Sequence, residues 1–432
     1  MKNISFIMVA LLAINSLTDA QSATEINVNG LKVIFKPTPK QTVSAIMFYK
    51  GGTANYTEAQ QGIENLALFA ATECGTEMYN KDAFKNKADK YGINIFGVAD
   101  YDYSYMSMSC VKPYLDQAWD LFAQAVTNPV FEDSALEILK QKQISRLQEQ
   151  QSSPDSKVGQ MMMKNAFKGT RYEYDPAGTV ATVSGFTSRQ LKAYYKTLLN
   201  TNRMVLVVVG NINAEKVKAM AEQTFSKLPS SEINNLPSPQ DLKITANSLD
   251  TVQRKLATNY IVGVLGAPDA NTNNIYAYKL AIRVLYNDLF NEIRTKRNLS
   301  YAPGAWLTDD FIPYAAIYVS TTKPKESVAV MVDEIKRFRN NGFTETDLRN
   351  AKSIYATDYF MANESSSAIA TTLGVGAMRG DWRRQESLLR DINAVTLQQM
   401  QDVFNQYMNG IRWSYLGDAM LADADAFKMT VQ

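Results

Sequence analysis

Side chains able to hold a metal, shuttle a proton or attack a carbonyl set the limits on what a chain can catalyse. This one has 432 residues and no histidine. A Ser-His-Asp triad, a Cys-His pair and a His-ligated zinc are therefore all excluded. Its two cysteines are Cys74 and Cys110. In an oxidising compartment they can pair; as separate buried thiols they behave as small hydrophobes, and both readings stay open. Two cysteines without an imidazole make a poor metal site. Serines and lysines are plentiful, but none lies in a nucleophile elbow, and no nucleotide-binding loop is present. Gly374-x-Gly376 is a lone GxG that identifies nothing, and Arg379, Arg383 and Arg384 around Trp382 read as a solvated loop. With 45 basic and 43 acidic residues there is no electrostatic case for nucleic acid binding. A 46% hydrophobic and 10% aromatic composition excludes wholesale disorder.

The elements that must position any chemistry follow from patterning. Residues 1–20 read as a cleaved secretory signal: Lys2, then an apolar run from Ile4 to Leu17, then small residues at Thr18 and Ala20. The mature protein is expected in a periplasm or outside the cell, with no membrane span. Residues 25–52 alternate as strands, and about 61–71 turn helical. Asp82–Tyr91 is a helix closed by Gly92. Ile93 to Val111 is strand-like, with Tyr101, Tyr103 and Tyr105 expected on one covered face. Helices are expected over Tyr114–Val126, Ser134–Gln150, Ala214–Phe225 and 350–372, and a buried strand over Met204–Val209. Leu228 to Asp241, rich in proline and serine, is the linker candidate.

The second half repeats the first. Phe131-x4-Leu136-x3-Lys140 reappears as Phe343-x4-Leu348-x3-Lys352, and Thr187-x3-Leu191-x3-Tyr195 as Thr396-x3-Met400-x3-Phe404, in the same order and at nearly one offset. Each second motif leads to an apolar strand ending in Gly210 or Gly417. This argues for an internal duplication into two α+β domains, 21–228 and 242–432, joined by a linker over 229–241.

Several segments carry a family resemblance. They are Gly62-Ile63-Glu64-Asn65-Leu66-Ala67-Leu68-Phe69; Asn94-Ile95-Phe96; Asn128-Pro129-Val130-Phe131; Asn202 to Gly210; and Leu289 to Tyr301. Together they resemble the pitrilysin/insulinase-type zinc metallopeptidases, in the short-chain branch with two homologous domains per chain. The resemblance implies that each domain is a mainly antiparallel sheet packed with helices, one chain forming half of a clamshell.

Active members carry an inverted zinc motif, H-x-x-E-H, which puts two imidazoles and a carboxylate on one helix face. The matching positions here are Asn65, Leu68 and Phe69. The third ligand, a glutamate in the family, matches Arg146, with Ser145 beside it. Neither Leu68 nor Phe69 can bind zinc or move a proton, and the metal centre reads as lost at every one of its positions. Glu64, Glu73 and Glu149 sit at the wrong spacing for a replacement site and read as solvated helix glutamates. No metal or other cofactor is expected in this chain.

The resemblance also implies an Arg and a Tyr separated by six residues, reaching from the second domain to the active site. Arg294 and Tyr301 match them. Guanidinium and phenol can donate hydrogen bonds to the oxygen that gains charge during amide hydrolysis, or to substrate carbonyls. The Gly-rich stretch common before this helix is replaced by Leu285-Tyr286-Asn287-Asp288. Asn94, Ile95 and Phe96 offer a strand edge for an extended peptide. Two functions follow from the resemblance. One is the non-catalytic subunit of a heterodimeric peptidase whose homologous partner bears the zinc. The other is a stand-alone pseudopeptidase that binds peptides or acts as a scaffold.

Overall fold

The computed structural model describes residues 22–234 and 236–431; the expected signal segment lies outside them. The first sheet is built from β1 (Thr24–Val28), β2 (Leu31–Pro37), β3 (Thr42–Lys50), β4 (Asn94–Ala99), β5 (Tyr103–Val111) and β6 (Met204–Gly210), in the order β1-β2-β6-β3-β5-β4. The second contains β7 (Ser248–Gln253), β8 (Asn259–Leu265), β9 (Gly304–Leu307), β10 (Ala315–Thr321) and β11 (Arg412–Gly417), in the order β7-β11-β8-β10-β9. Omitting β1, the two orders coincide strand for strand. In both sheets the single parallel pair is the same one, β2 with β6 and β7 with β11. The repeat in the residues is thus a repeat in topology.

Alternation along the strands gives each sheet two apolar faces. Val33, Phe35, Ala45, Met47, Met106, Met108, Leu206 and Val208 pack with helices of the first half. Ile261, Leu265, Ile317, Val319, Trp413 and Tyr415 do the same in the second half. The opposite faces are covered reciprocally. The Pro154–Ala166 helix crosses over so that Val158, Met161 and Met162 join Val262, Val264, Ala316 and Leu416 of the second sheet. The Ser366–Arg379 helix places Ala370, Leu373 and Met378 against Ile34, Ile46, Phe48, Val205 and Val207 of the first. Both crossing helices begin at a serine cap, Ser153 and Ser365, whose hydroxyls accept from Ser156 N and Ala368 N.

Two sequence expectations change here. The helix expected over 350–372 is two helices, Glu345–Ala362 and Ser366–Arg379, because Ser365 starts a new one. Gly374 and Gly376 therefore lie inside a helix rather than after it. Gly374 is needed there: a Cβ would stand 1.9 Å from Cε2 of Phe48. The tyrosine stripe also divides. Tyr103 and Tyr105 pack beside Phe48 under the crossing helix. Tyr101 lies in the preceding turn and packs at a tilt on Tyr172, 5.0 Å between ring centres, against the other half.

A buried carboxylate ties the halves together. Asp102 accepts hydrogen bonds from Arg171 Nη2 (2.5 Å), Tyr172 Oη (2.5 Å) and Phe311 N (2.7 Å). Arg254, just past β7, donates to the carbonyls of Gln151 and Ser152, 3.3 and 2.8 Å away. Those are terminal carbonyls of the Asp133–Ser152 helix, which have no partner within the helix. Cys74 and Cys110 are both buried and unpaired. Burial pushes their thiols up, to about 12 and about 11.

Candidate functional site

The Ile63–Glu73 helix carries Asn65, Leu68 and Phe69, the positions matched in sequence to the inverted motif. It meets the outermost strand of its sheet at Gly97, where a Cβ would stand 2.7 Å from the Leu68 carbonyl oxygen. That backbone-to-backbone approach sets Asn65 beside β4, and Asn65 Oδ1 accepts from Ala99 N at 3.2 Å. Leu68 is wholly buried in the core. The Phe69 ring lies under Arg146, whose guanidinium carbon is 5.5 Å from the ring centre. Arg146 is on the Asp133–Ser152 helix, so the two helices bring the sequence-matched positions 69 and 146 together.

Zinc does not fit these residues. The amide at 65 is spent on a strand edge, position 68 offers only hydrocarbon, and a cation stands over the aromatic ring at 69. The glutamates give no substitute. Glu73 pairs with Lys85 at 2.7 Å, and Glu149 is exposed. Glu64 corrects the sequence reading: it is fully buried, not solvated. Its Oε2 accepts from Asn55 Nδ2 at 2.9 Å and from the Tyr194 hydroxyl. Burial raises its pKa, opposed by the hydrogen bonds from Asn55 and Tyr194. Among the described residues no group of three or more Cys, Asp and Glu side chains is placed to hold a metal ion.

β4 presents Asn94, Ile95 and Phe96 at the free edge of the sheet. Phe96 is 39% exposed and makes an edge contact with Tyr105. The adjoining Ala99 N–H is already taken by Asn65, which leaves the Asn94 end of the edge for any added strand.

The second candidate group sits past the Asn274–Leu289 helix, which absorbs Leu285 to Asp288 as ordinary helix. It continues as a π-helical turn over Phe290–Lys296, and such widened turns recur at functional sites. Asn298 (φ 52°) ends it in the left-handed region, and Leu299 N donates back to the Ile293 carbonyl at 2.8 Å. The cations nearby divide by role. Lys296 and Arg297 both fold onto Glu292. Arg294 instead stacks between two rings, its guanidinium carbon 4.9 Å from the Phe290 centre and 3.9 Å from that of Tyr301. Tyr301 is 79% exposed. Among the described residues the Arg294 guanidinium makes no hydrogen bond or ion pair, so its N–H groups are open to other acceptors.

The basic cluster near Trp382 is solvated only at Arg383, which is exposed at the start of the Arg383–Ala394 helix. Trp382 is buried and donates from Nε1 to Glu25 at 2.8 Å. Arg379 is buried too, because the crossing helix ends in a packed corner between the halves.

Comparison with known proteins gives the family. Residues 32–180 match the family model described as insulinase (peptidase family M16), and residues 185–355 match that of the peptidase M16 inactive domain. An "uncharacterized zinc protease" of Rickettsia felis is 23% identical over 89% of this chain and 95% of its own. The "non-peptidase homolog YmxG" of Helicobacter pylori is 20% identical over 92% of this chain and 94% of its own. A peptidase M16 inactive domain from Pseudomonas fluorescens superposes with a TM-score of 0.83 at 19% identity, covering 92% of this chain and 98% of that one. The periplasmic protease PqqL of Escherichia coli gives 0.76 at 16%, covering 97% of this chain and 49% of that one. The chain belongs to the insulinase (M16) peptidase family.

Proposed function

We propose that this chain is the metal-free subunit of a two-chain peptidase, in which a homologous partner bears the zinc. The observation that carries this is the contrast between two groups of residues in one molecule. The zinc-motif positions hold a strand-edge amide, a core leucine and a phenylalanine under an arginine. Arg294, half-buried, and Tyr301, exposed, remain in contact and free of ion pairs among the described residues. Their role is to donate hydrogen bonds to substrate carbonyls and to the oxygen that gains charge as the amide is cleaved. Arg294 supplies a planar fork of donors, and Tyr301 a phenol that reaches into solvent.

The same proposal includes secretion by residues 1–20, a periplasmic or extracellular location, and two domains meeting at a linker over 229–241. A structural neighbour described as a periplasmic protease is in keeping with that location. The test is copurification from the native host with metal analysis of the eluate. One zinc-bearing homologue per chain, and peptidase activity lost on Arg294→Ala, is the expected result. Stoichiometric zinc in the chain alone would overturn it.

A second reading has its own observation. The relative named a non-peptidase homologue is similar over nearly its whole length. On that reading the chain binds peptides at the Asn94 end of β4 without hydrolysis. It is favoured if the chain elutes by itself and still binds an extended peptide.

A further inference from the structure

β9 occupies in the second sheet the edge place that β4 holds in the first. Beside it lies a cavity of about 300 Å³, with Lys279, Ile282, Tyr286, Trp306 and Tyr355 among its walls. Lys279 also lines a narrower niche, together with Asn271, Arg379 and Arg384. Two helices begin at this niche, Asn274–Leu289 and Arg383–Ala394, and helix starts carry partial positive charge.

The charges at the niche do not balance. Lys279 pairs with Asp309 at 2.7 Å, and Arg379 reaches the same carboxylate only at 3.9 Å. Arg384 donates to the Thr272 carbonyl and lies over the Tyr276 ring. Asp381 is engaged by Arg383, through its backbone N–H at 3.0 Å and its guanidinium at 3.7 Å. Lys279, Arg379 and Arg384 therefore line the niche with two carboxylates, Asp309, shared by Lys279 and Arg379, and Asp381, already held by Arg383. Arg379 is only 8% exposed, and its Nε has no hydrogen-bond partner. A buried guanidinium N–H without an acceptor is costly, and a bound anion oxygen would relieve it.

We infer that the niche takes a carboxylate carried by a peptide lying along β9, with the apolar cavity receiving the adjoining side chain. This rests on the reading that the chain handles peptides, but it uses neither Arg294 nor the zinc-motif positions. The niche and the cavity share Lys279, so one extended segment can reach both. The lining favours one negative group followed by an apolar or aromatic one.

The test is fluorescence anisotropy with the full chain and one labelled extended peptide, made as the free acid and as the C-terminal amide. A third version is an amide with an acidic penultimate residue. The free acid is expected to bind about tenfold more tightly than the plain amide, as for one charge-assisted contact. Lys279→Met and Arg384→Gln should each erase that preference, while Trp306→Ala should weaken all versions alike. Equal binding of acid and plain amide by the wild type would overturn the inference, as would a preference that survives both charge variants in folded protein. The acidic-residue amide distinguishes a side-chain carboxylate from a chain terminus. Inorganic phosphate binding as tightly as the peptide acid would overturn the assignment to a peptide. Arg294→Ala should leave the preference intact, which separates failure here from failure of the subunit model.

Discussion

The guanidinium of Arg294 lies 3.9 Å from the ring centre of Tyr301, although one sits on a π-helical turn and the other in the loop beyond it. The left-handed Asn298 between them folds the chain back so that the pair meets. Replacing Arg294 by Ala, or Tyr301 by Phe, is expected to lower the kcat of the complex with a zinc-bearing partner by about a hundredfold, the usual effect of losing one such donor. The melting temperature of the chain alone should hardly change, because neither side chain is in the core. Arg294→Lys keeps the charge but not the planar fork, so it should recover little. Steady-state kinetics beside thermal melts would show a large fall in stability instead if the pair were structural.

Stability should fall as pH rises from about 4 to about 7. Burial, with Asp102 and Asp100 alongside, pushes the Asp310 carboxyl up to about 7, and burial also raises Asp100, Asp175 and Glu64. Each binds its proton more tightly folded than unfolded, so deprotonation favours the unfolded chain. Asp310→Asn should flatten the slope near neutrality. Urea titrations at pH 5.5 and 7.5 measure it, and a wild type more stable at the higher pH would refute the assignment.

Gly374→Ala should destabilise the protein by about 1–3 kcal/mol, as overpacking does, since the new methyl meets the Phe48 ring. Phe48→Leu in the same molecule should return part of the loss. Chemical denaturation of the two single variants and the double variant gives the coupling.

Asn65→Ala removes the acceptor for Ala99 N and is expected to cost about 1 kcal/mol. Amide exchange at Ala99 should accelerate while the far end of β4 is unchanged. No exchange difference would mean that Asn65 does not hold the strand edge.

Neither cysteine should react with a thiol reagent in the native protein, and both should react after denaturation. Burial and the raised pKa values leave almost no thiolate at neutral pH. Free thiols counted before and after unfolding settle it.

The local elements were legible because each rests on nearby residues. Ala214–Phe225 has the same ends in sequence and structure, and β6 is one residue longer than its apolar run. The repeated motifs foretold the repeated strand order. What stayed hidden depends on packing between distant segments. Glu64 looks like any helix glutamate until Asn55 and Tyr194 close over it. Trp382 and its arginines look like a polar loop until Glu25 arrives from the other end of the chain. At the positions matched to the zinc motif, residue types alone do not tell that Asn65 binds a strand edge or that Arg146 covers Phe69. The serine before Pro154 was the one local signal that the long helix stops and a crossing helix begins.

The reciprocal crossing helices bear on how the chain folds and what it tolerates. Each sheet keeps one face bare until the other repeat supplies its cover, so a lone repeat expressed by itself would expose Val262, Val264 and Leu416, or Ile34, Ile46 and Val207, to water. Such a fragment would seek a second copy and exchange helices with it. Joining the repeats in one chain makes that exchange intramolecular and sets the effective concentration of the missing cover by the connecting segment rather than by the cell. The halves should therefore melt in a single transition, and a cut in the connecting segment should leave two fragments that stay together.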